Sequence, residues 1–171
     1  WIDDDFRMHN HGTPIFSMLD GEGNYPDHYC YCDEHIRLFN EKNGGRFTRK
    51  DLVAHITAAG EPSPVRAKYQ DFLYEIMDET ADWIRKTVHS TSPETRLAIM
   101  TSVPDTHSAE GRRWGSFLKA LSGDYAPIIR PHFGPYKEGD PREFVLCYRM
   151  LAQTMENIKQ GYAAPVEYCP E

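Results

Sequence analysis

The chain has 171 residues, enough for one ordinary domain, and its 40% hydrophobic and 26% charged residues give a globular balance, not a disordered one. A formal net charge of -7 argues against a nucleic-acid or anionic-membrane binder, because both need a basic surface. No stretch approaches the roughly 20 apolar residues that span a bilayer.

The chain opens with Trp1-Ile2, which reads as the end of a buried strand, followed at once by Asp3-Asp4-Asp5. No initiating Met or targeting segment is visible in the sequence, which stops abruptly after Glu167-Tyr168-Cys169-Pro170-Glu171. Both ends are expected to be cuts in a longer sequence. From Phe6 to Tyr29 the composition is that of a long loop, rich in His, Gly, Pro, Asn and Asp. A helix is expected from about Asp33 to Asn43, with Gly44-Gly45 as its stop. Thr48 and Asp51 resemble a capping signal for a short helix carrying Leu52, Val53 and Ile56.

Ser63 and Pro64 then begin the clearest helix, with Tyr69, Phe72, Leu73, Ile76, Trp83, Ile84 and Val88 predicted on one face. Arg96 to Ser102 reads as a short buried strand. Trp114, Phe117, Leu118 and Leu121 mark the next helix, where Trp114 is expected to pack in the core. Pro127 to Arg130 is a second strand. A helix from Pro141 follows, with Phe144, Tyr148, Leu151, Met155 and Ile158 facing inward and Cys147 buried. Val166 starts a third apolar strand.

Short apolar strands alternating with amphipathic helices indicate an α/β fold with a parallel sheet. Polar residues cluster after each strand, where such sheets carry their sites. No glycine-rich phosphate turn is present, which favours a (β/α)8 TIM-barrel segment over a doubly wound sheet. Residues 1–171 are therefore expected to form one partial catalytic barrel domain. Its loop and metal-like cluster cover residues 6–35, and its βα units cover 36–171.

Two groups of residues carry chemistry. The first is the acidic run Asp3-Asp4-Asp5, whose mutual repulsion at a strand end folding alone does not explain. The second is Cys30-Tyr31-Cys32-Asp33-Glu34-His35, a C-x-C-x-x-H spacing. Zinc takes sulfur and nitrogen donors, and a tight turn entering a helix can bring these three side chains together. Asp27, His28 or an upstream residue can supply a fourth ligand. Cys30 and Cys32 are too close for a comfortable disulfide, so a reducing compartment is expected, and with it a cytoplasmic location.

On these residues the stretch from Trp1 to Phe39 resembles the glycoside hydrolase family 42 β-galactosidases and their clan A relatives. That family has an I-D-N-E strand end followed by a zinc-binding C-x-C-x-x-C cluster. Ile2-Asp3-Asp4-Asp5 lies over the first pattern, and Cys30, Cys32 and His35 lie over the second, with His in place of the last Cys. Val166-Glu167-Tyr168-Cys169-Pro170 is similar to the family's M-E-Q-S-P nucleophile segment. The resemblance implies a retaining glycosidase with Asp5 as acid/base, where the family has Glu, and Glu167 as nucleophile. It also implies a chain running from the end of barrel strand 4 into strand 7. Asp3, Asp4, Arg7, His132 and Tyr136 are then the candidates for binding the carbohydrate substrate. A structural zinc is implied at Cys30, Cys32 and His35, and no organic cofactor.

Two other functions remain open. One is a metal-dependent hydrolase using Asp3, Asp5, His9, His11 and His132. The other is a catalytically inactive barrel that binds carbohydrate or acts as a scaffold. An incomplete barrel exposes sheet edges and apolar helix faces, so self-association, or association with the missing part of the barrel, is expected. Neither nucleic acid nor membrane is an expected partner.

Overall fold

The computed structural model describes residues 1, 2, 6, 8, 30–101, 111–131 and 167–168. Three helices come first: α1 (Asp33–Asn43), α2 (Arg49–Thr57) and α3 (Pro64–Thr91). Strand β1 (Ala98–Thr101), helix α4 (Trp114–Ser122), strand β2 (Ile128–Pro131) and strand β3 (Glu167–Tyr168) follow.

Local chemistry sets the helix ends. Gly44 takes a left-handed φ of 64° and donates its N–H to the Asn40 carbonyl, closing α1 where a side chain would be strained. Thr48 and Asp51 form a reciprocal capping box on α2, with the Thr48 N–H donating to Asp51 Oδ2 at 3.1 Å and the Asp51 N–H to Thr48 Oγ1 at 3.2 Å. Ser63 caps α3 by accepting from the Arg66 N–H, and Pro64 fills the first turn. Thr48→Ala removes the side-chain half of the box and is expected to destabilise the chain by about 1 kcal/mol. Urea denaturation of variant and parent checks this, and equal midpoints would show that the box does not hold α2.

The helices and the sheet bury two apolar clusters. Phe39, Leu52, Ile56, Tyr69, Phe72 and Leu73 join α1, α2 and α3 in a core without strands. Met77 and Ala81 of α3 pack with Ile99, Trp114, Phe117, Leu118, Leu121 and Ile129 beneath the sheet. Helix α3 thus serves both clusters, and its buried face rotates by about a third of a turn between Tyr69 and Ala81 at roughly 100° per residue. The rotation explains a departure from the expected face. Trp83 continues the stripe of Tyr69 and Phe72, but beyond Met77 the core has moved round the helix, and Trp83 stands 67% exposed.

The sheet has the order β1-β2-β3, with every pairing parallel. Ile99 is in register with Ile129, and Ile129 with Tyr168. Ile2 adds a parallel bridge to Ile99, donating its N–H to Ala98 O at 2.8 Å and accepting from the Met100 N–H at 2.9 Å. Ile2, Ile99, Ile129 and Tyr168 therefore stand at one level across the sheet.

This architecture corrects the expected fold. The described residues do not form a (β/α)8-barrel segment running from strand 4 to strand 7. They form four helices and one small sheet, built from two four-residue strands, the two-residue β3 and the bridge at Ile2. The physical reason lies in what the alternation of strands and helices encodes. It specifies parallel pairing locally, whereas closure needs matched tilt and stagger over all the strands. The first three helices also follow one another without an intervening strand and complete a core of their own. The predicted helix from Pro141 lies outside the described residues. No helix among the described residues is long and apolar enough to cross a membrane.

Candidate metal centre

Cys30, Tyr31 and Cys32 lead into α1, and Cys32 is its N-cap, with extended backbone angles (φ -68°, ψ 157°). Along extended chain, alternate side chains leave on opposite sides. Tyr31 turns into the helical core, 8% exposed, and its ring stacks on Tyr69 with centroids 6.1 Å apart. Cys30 and Cys32 flank it, half-buried and exposed respectively. One helical turn then returns His35 to the N-cap. The His35 backbone N–H donates to Cys32 Sγ at 3.5 Å, and its ring Nδ1 lies 3.3 Å from the same sulfur. The C-x-C-x-x-H spacing is thus an extended pair of thiols joined to the N-cap and third residue of a helix, two positions that capping geometry brings together.

The ligand atoms of Cys30, Cys32 and His35 all lie within 4.8 Å of one another. Tetrahedral zinc with sulfur at about 2.3 Å and nitrogen at about 2.0–2.1 Å needs donors about 3.6–3.8 Å apart. Cys32 Sγ and His35 Nδ1, 3.3 Å apart, are close to this, and the 4.8 Å that bounds every pair exceeds it by only about 1 Å; two sulfurs with one imidazole nitrogen suit zinc. The group can hold a metal ion.

The electrostatics agree. Burial lowers the proton affinity of His35 against the smaller opposing pull of Glu34, which favours the neutral ring that a metal requires. Burial raises the Cys30 thiol, the backbone hydrogen bond from Cys32 opposes this, and the side chain of Cys32 adds to the rise. A dication between two thiolates removes that mutual penalty. Glu34 is engaged elsewhere, paired with Arg37 at 2.5 Å, and the Arg37 hydrogen bond holds its carboxyl below the usual range.

Two residues outside the motif grip its backbone. The Tyr69 hydroxyl donates to the Cys30 carbonyl. Arg49 Nε donates to the Tyr31 carbonyl at 2.9 Å, and its Nη2 pairs with Asp33. Burial, followed by the nearby Cys30 and Cys32, raises the Tyr69 phenol well above its ordinary value, so it stays a donor. Sequence spacing marks Tyr69 only as a core residue and gives Arg49 no role.

The remaining predicted site residues are placed less fully. Glu167 opens β3 in register with Ile128. Asp3, Asp4, Asp5, Arg7, His132 and Tyr136 lie outside the described residues, as do His9, His11, Asp27 and His28.

One residue that sequence reasoning missed holds the chain just after the acidic run. Arg112, fully buried, donates to the Phe6 carbonyl from Nε at 3.1 Å and from Nη2 at 2.6 Å, and from Nη1 to the Met100 carbonyl at 3.4 Å. Its guanidinium lies 5.6 Å from the Trp114 ring centroid and 5.7 Å from that of Phe117. It joins the segment following Ile2 to β1, and no motif announces it.

Asp78 is a second such residue. Burial raises its pKa, while Ser116 and Arg113 oppose the rise, and Asp78 Oδ1 is buried with no hydrogen-bond partner. A raised folded-state pKa means that the group's stabilising contribution is present below its unfolded pKa and is lost as pH rises through the folded one. Asp78→Asn is therefore expected to raise the melting temperature at about pH 7, with the gain fading toward about pH 4. Thermal unfolding of parent and variant at both pH values checks this, and an equal effect at the two would contradict it.

Compared with protein-family models, with curated proteins and with solved structures, the chain matches none of them.

Proposed function

We propose that the chain belongs to a retaining glycoside hydrolase acting on β-galactosides, with a structural zinc held by Cys30, Cys32 and His35. The observation that carries this reading is the convergence of those three donors within 4.8 Å. They occupy the positions at which the sequence resembles the zinc cluster of family 42 enzymes.

In this mechanism the Glu167 carboxylate attacks the anomeric carbon while Asp5 protonates the departing oxygen. Asp5 then takes a proton from water, and that water releases the sugar from Glu167. Retention requires the two carboxyls to lie about 5–5.5 Å apart. The acid must hold its proton near neutral pH, and Asp3, Asp4 and Glu167 are the negative neighbours proposed to raise its pKa. Asp3, Asp4, Arg7, His132 and Tyr136 are the proposed sugar contacts. Zinc would cross-link the turn before α1 to the first turn of that helix. Free thiols at Cys30 and Cys32 require a reducing compartment, and we assign the chain to the cytoplasm on that ground.

The test is hydrolysis of an aryl β-galactoside by the full chain, with the anomer of the first-formed sugar followed by NMR. Turnover with a β product supports the proposal. An α product overturns the retaining mechanism, and since these 171 residues alone are expected to turn over little substrate, it is the failure of any galactoside to bind the chain in an NMR titration that overturns the glycosidase assignment.

A further inference from the structure

We propose that Tyr69 and Arg49 are positioning residues for the metal centre, setting the relative direction of the Cys30 and Cys32 thiols before an ion arrives. This inference rests on the metal-centre reading above and adds residues that the motif does not contain.

The geometry makes the case. Peptide groups are rigid planes, so the orientation of the two thiols depends on the backbone angles of the residue between them. That residue is Tyr31. The carbonyl on one side of it, Cys30 O, accepts from the Tyr69 hydroxyl. The carbonyl on the other side, Tyr31 O, accepts from Arg49 Nε at 2.9 Å. Both planes flanking Tyr31 are thereby held from outside the motif, one from α3 and one from α2. The Tyr31 ring is fixed too, stacked on Tyr69 within 1° of parallel.

The clamp stands on rigid elements. Tyr69 is 0% exposed, with its ring edge-on to Phe39 at 5.0 Å and tilted against Phe72 at 5.7 Å. Arg49 is the first residue of α2, directly after the Thr48 cap, and its second contact is the Asp33 carboxylate in the first turn of α1. One guanidinium therefore holds both the approach to α1 and its opening turn. His35 is held by the same packing, its ring edge-on to Phe72 at 6.3 Å. All three donors are thus fixed through the helical core, although Cys32 itself is exposed. A ligand set that is already oriented loses less conformational freedom when the ion binds.

The test is metal titration of the full chain. Cobalt(II) reports thiolate ligation through its charge-transfer absorption, and zinc affinity follows from competition with a chromophoric chelator. Tyr69→Phe keeps the ring and removes only the donor. It is expected to weaken zinc binding about tenfold, with unchanged cobalt charge-transfer intensity at saturation. Arg49→Gln is expected to act in the same direction and serves where Tyr69→Phe fails to fold. Melting of the metal-free proteins separates a merely structural role. A variant that melts lower yet binds zinc within twofold of the parent overturns the positioning role. If the parent chain binds neither zinc nor cobalt, the metal centre itself is overturned. Parent binding that is lost on Cys32→Ser but unaffected by Tyr69→Phe and Arg49→Gln overturns only the clamp.

Discussion

Glu167→Gln is expected to lower kcat/KM for an aryl β-galactoside by on the order of 10⁴-fold or more, the scale seen when a nucleophile is removed from a covalent mechanism. Glutamine nearly matches glutamate in size and can keep the hydrogen bonds of the site, so substrate binding should change little. What it lacks is the charge that attacks the anomeric carbon and stabilises the positive character there. A 2-deoxy-2-fluoro galactoside should trap the covalent adduct in the parent chain, and peptide mass analysis should find it on Glu167. Asp5→Asn should behave differently. Its effect should be severe for substrates with poor leaving groups and much smaller for activated aryl glycosides, which need little protonation. An adduct on another residue, or a Glu167→Gln variant within tenfold of the parent, would remove Glu167 from the mechanism.

Cys32→Ser is expected to weaken zinc binding by about 100- to 1000-fold. Structural zinc sites release about 10–16 kcal/mol on binding, which over four ligands is about 2.5–4 kcal/mol each. At about 1.4 kcal/mol per decade, that gives the stated range. Serine can still cap α1, because its hydroxyl accepts the same backbone N–H. The metal-free stability of the variant should therefore stay close to that of the parent while the affinity falls. Chelator competition measures the second quantity and thermal unfolding of the metal-free protein the first. A loss of metal-free stability with no loss of zinc affinity would assign Cys32 to capping alone.

These predictions differ in how far the sequence could foresee their residues, and locality accounts for the difference. Cys30, Cys32 and His35 fall within six residues, and the turn that gathers them is a helix start whose geometry is set by near neighbours. Thr48 with Asp51, Ser63 with Pro64, and Gly44 are legible for the same reason. Trp83 misled because a helical stripe assumes one core, whereas α3 meets two, on faces about a third of a turn apart. The barrel misled because alternation specifies neighbours and not closure. Tyr69 reaches Cys30 from 39 residues away, Arg49 reaches Tyr31 from 18, and Arg112 reaches Phe6 from 106. Each contact depends on how the helices and sheet pack, and no spacing rule encodes that. The proposed pairing of Asp5 with Glu167 would be of the same long-range kind. The sheet sets two strands, β1 and β2, between Ile2 and Tyr168.

The central claim is that Cys30, Cys32 and His35 hold zinc, and metal stoichiometry tests it most directly. Native mass spectrometry of the full chain, exposed to zinc and then freed of loosely bound ions, should show one tightly held zinc per chain. The Cys30→Ser/Cys32→Ser double variant, treated identically, should show none. A parent chain without bound zinc, or a double variant that retains it, would contradict the assignment.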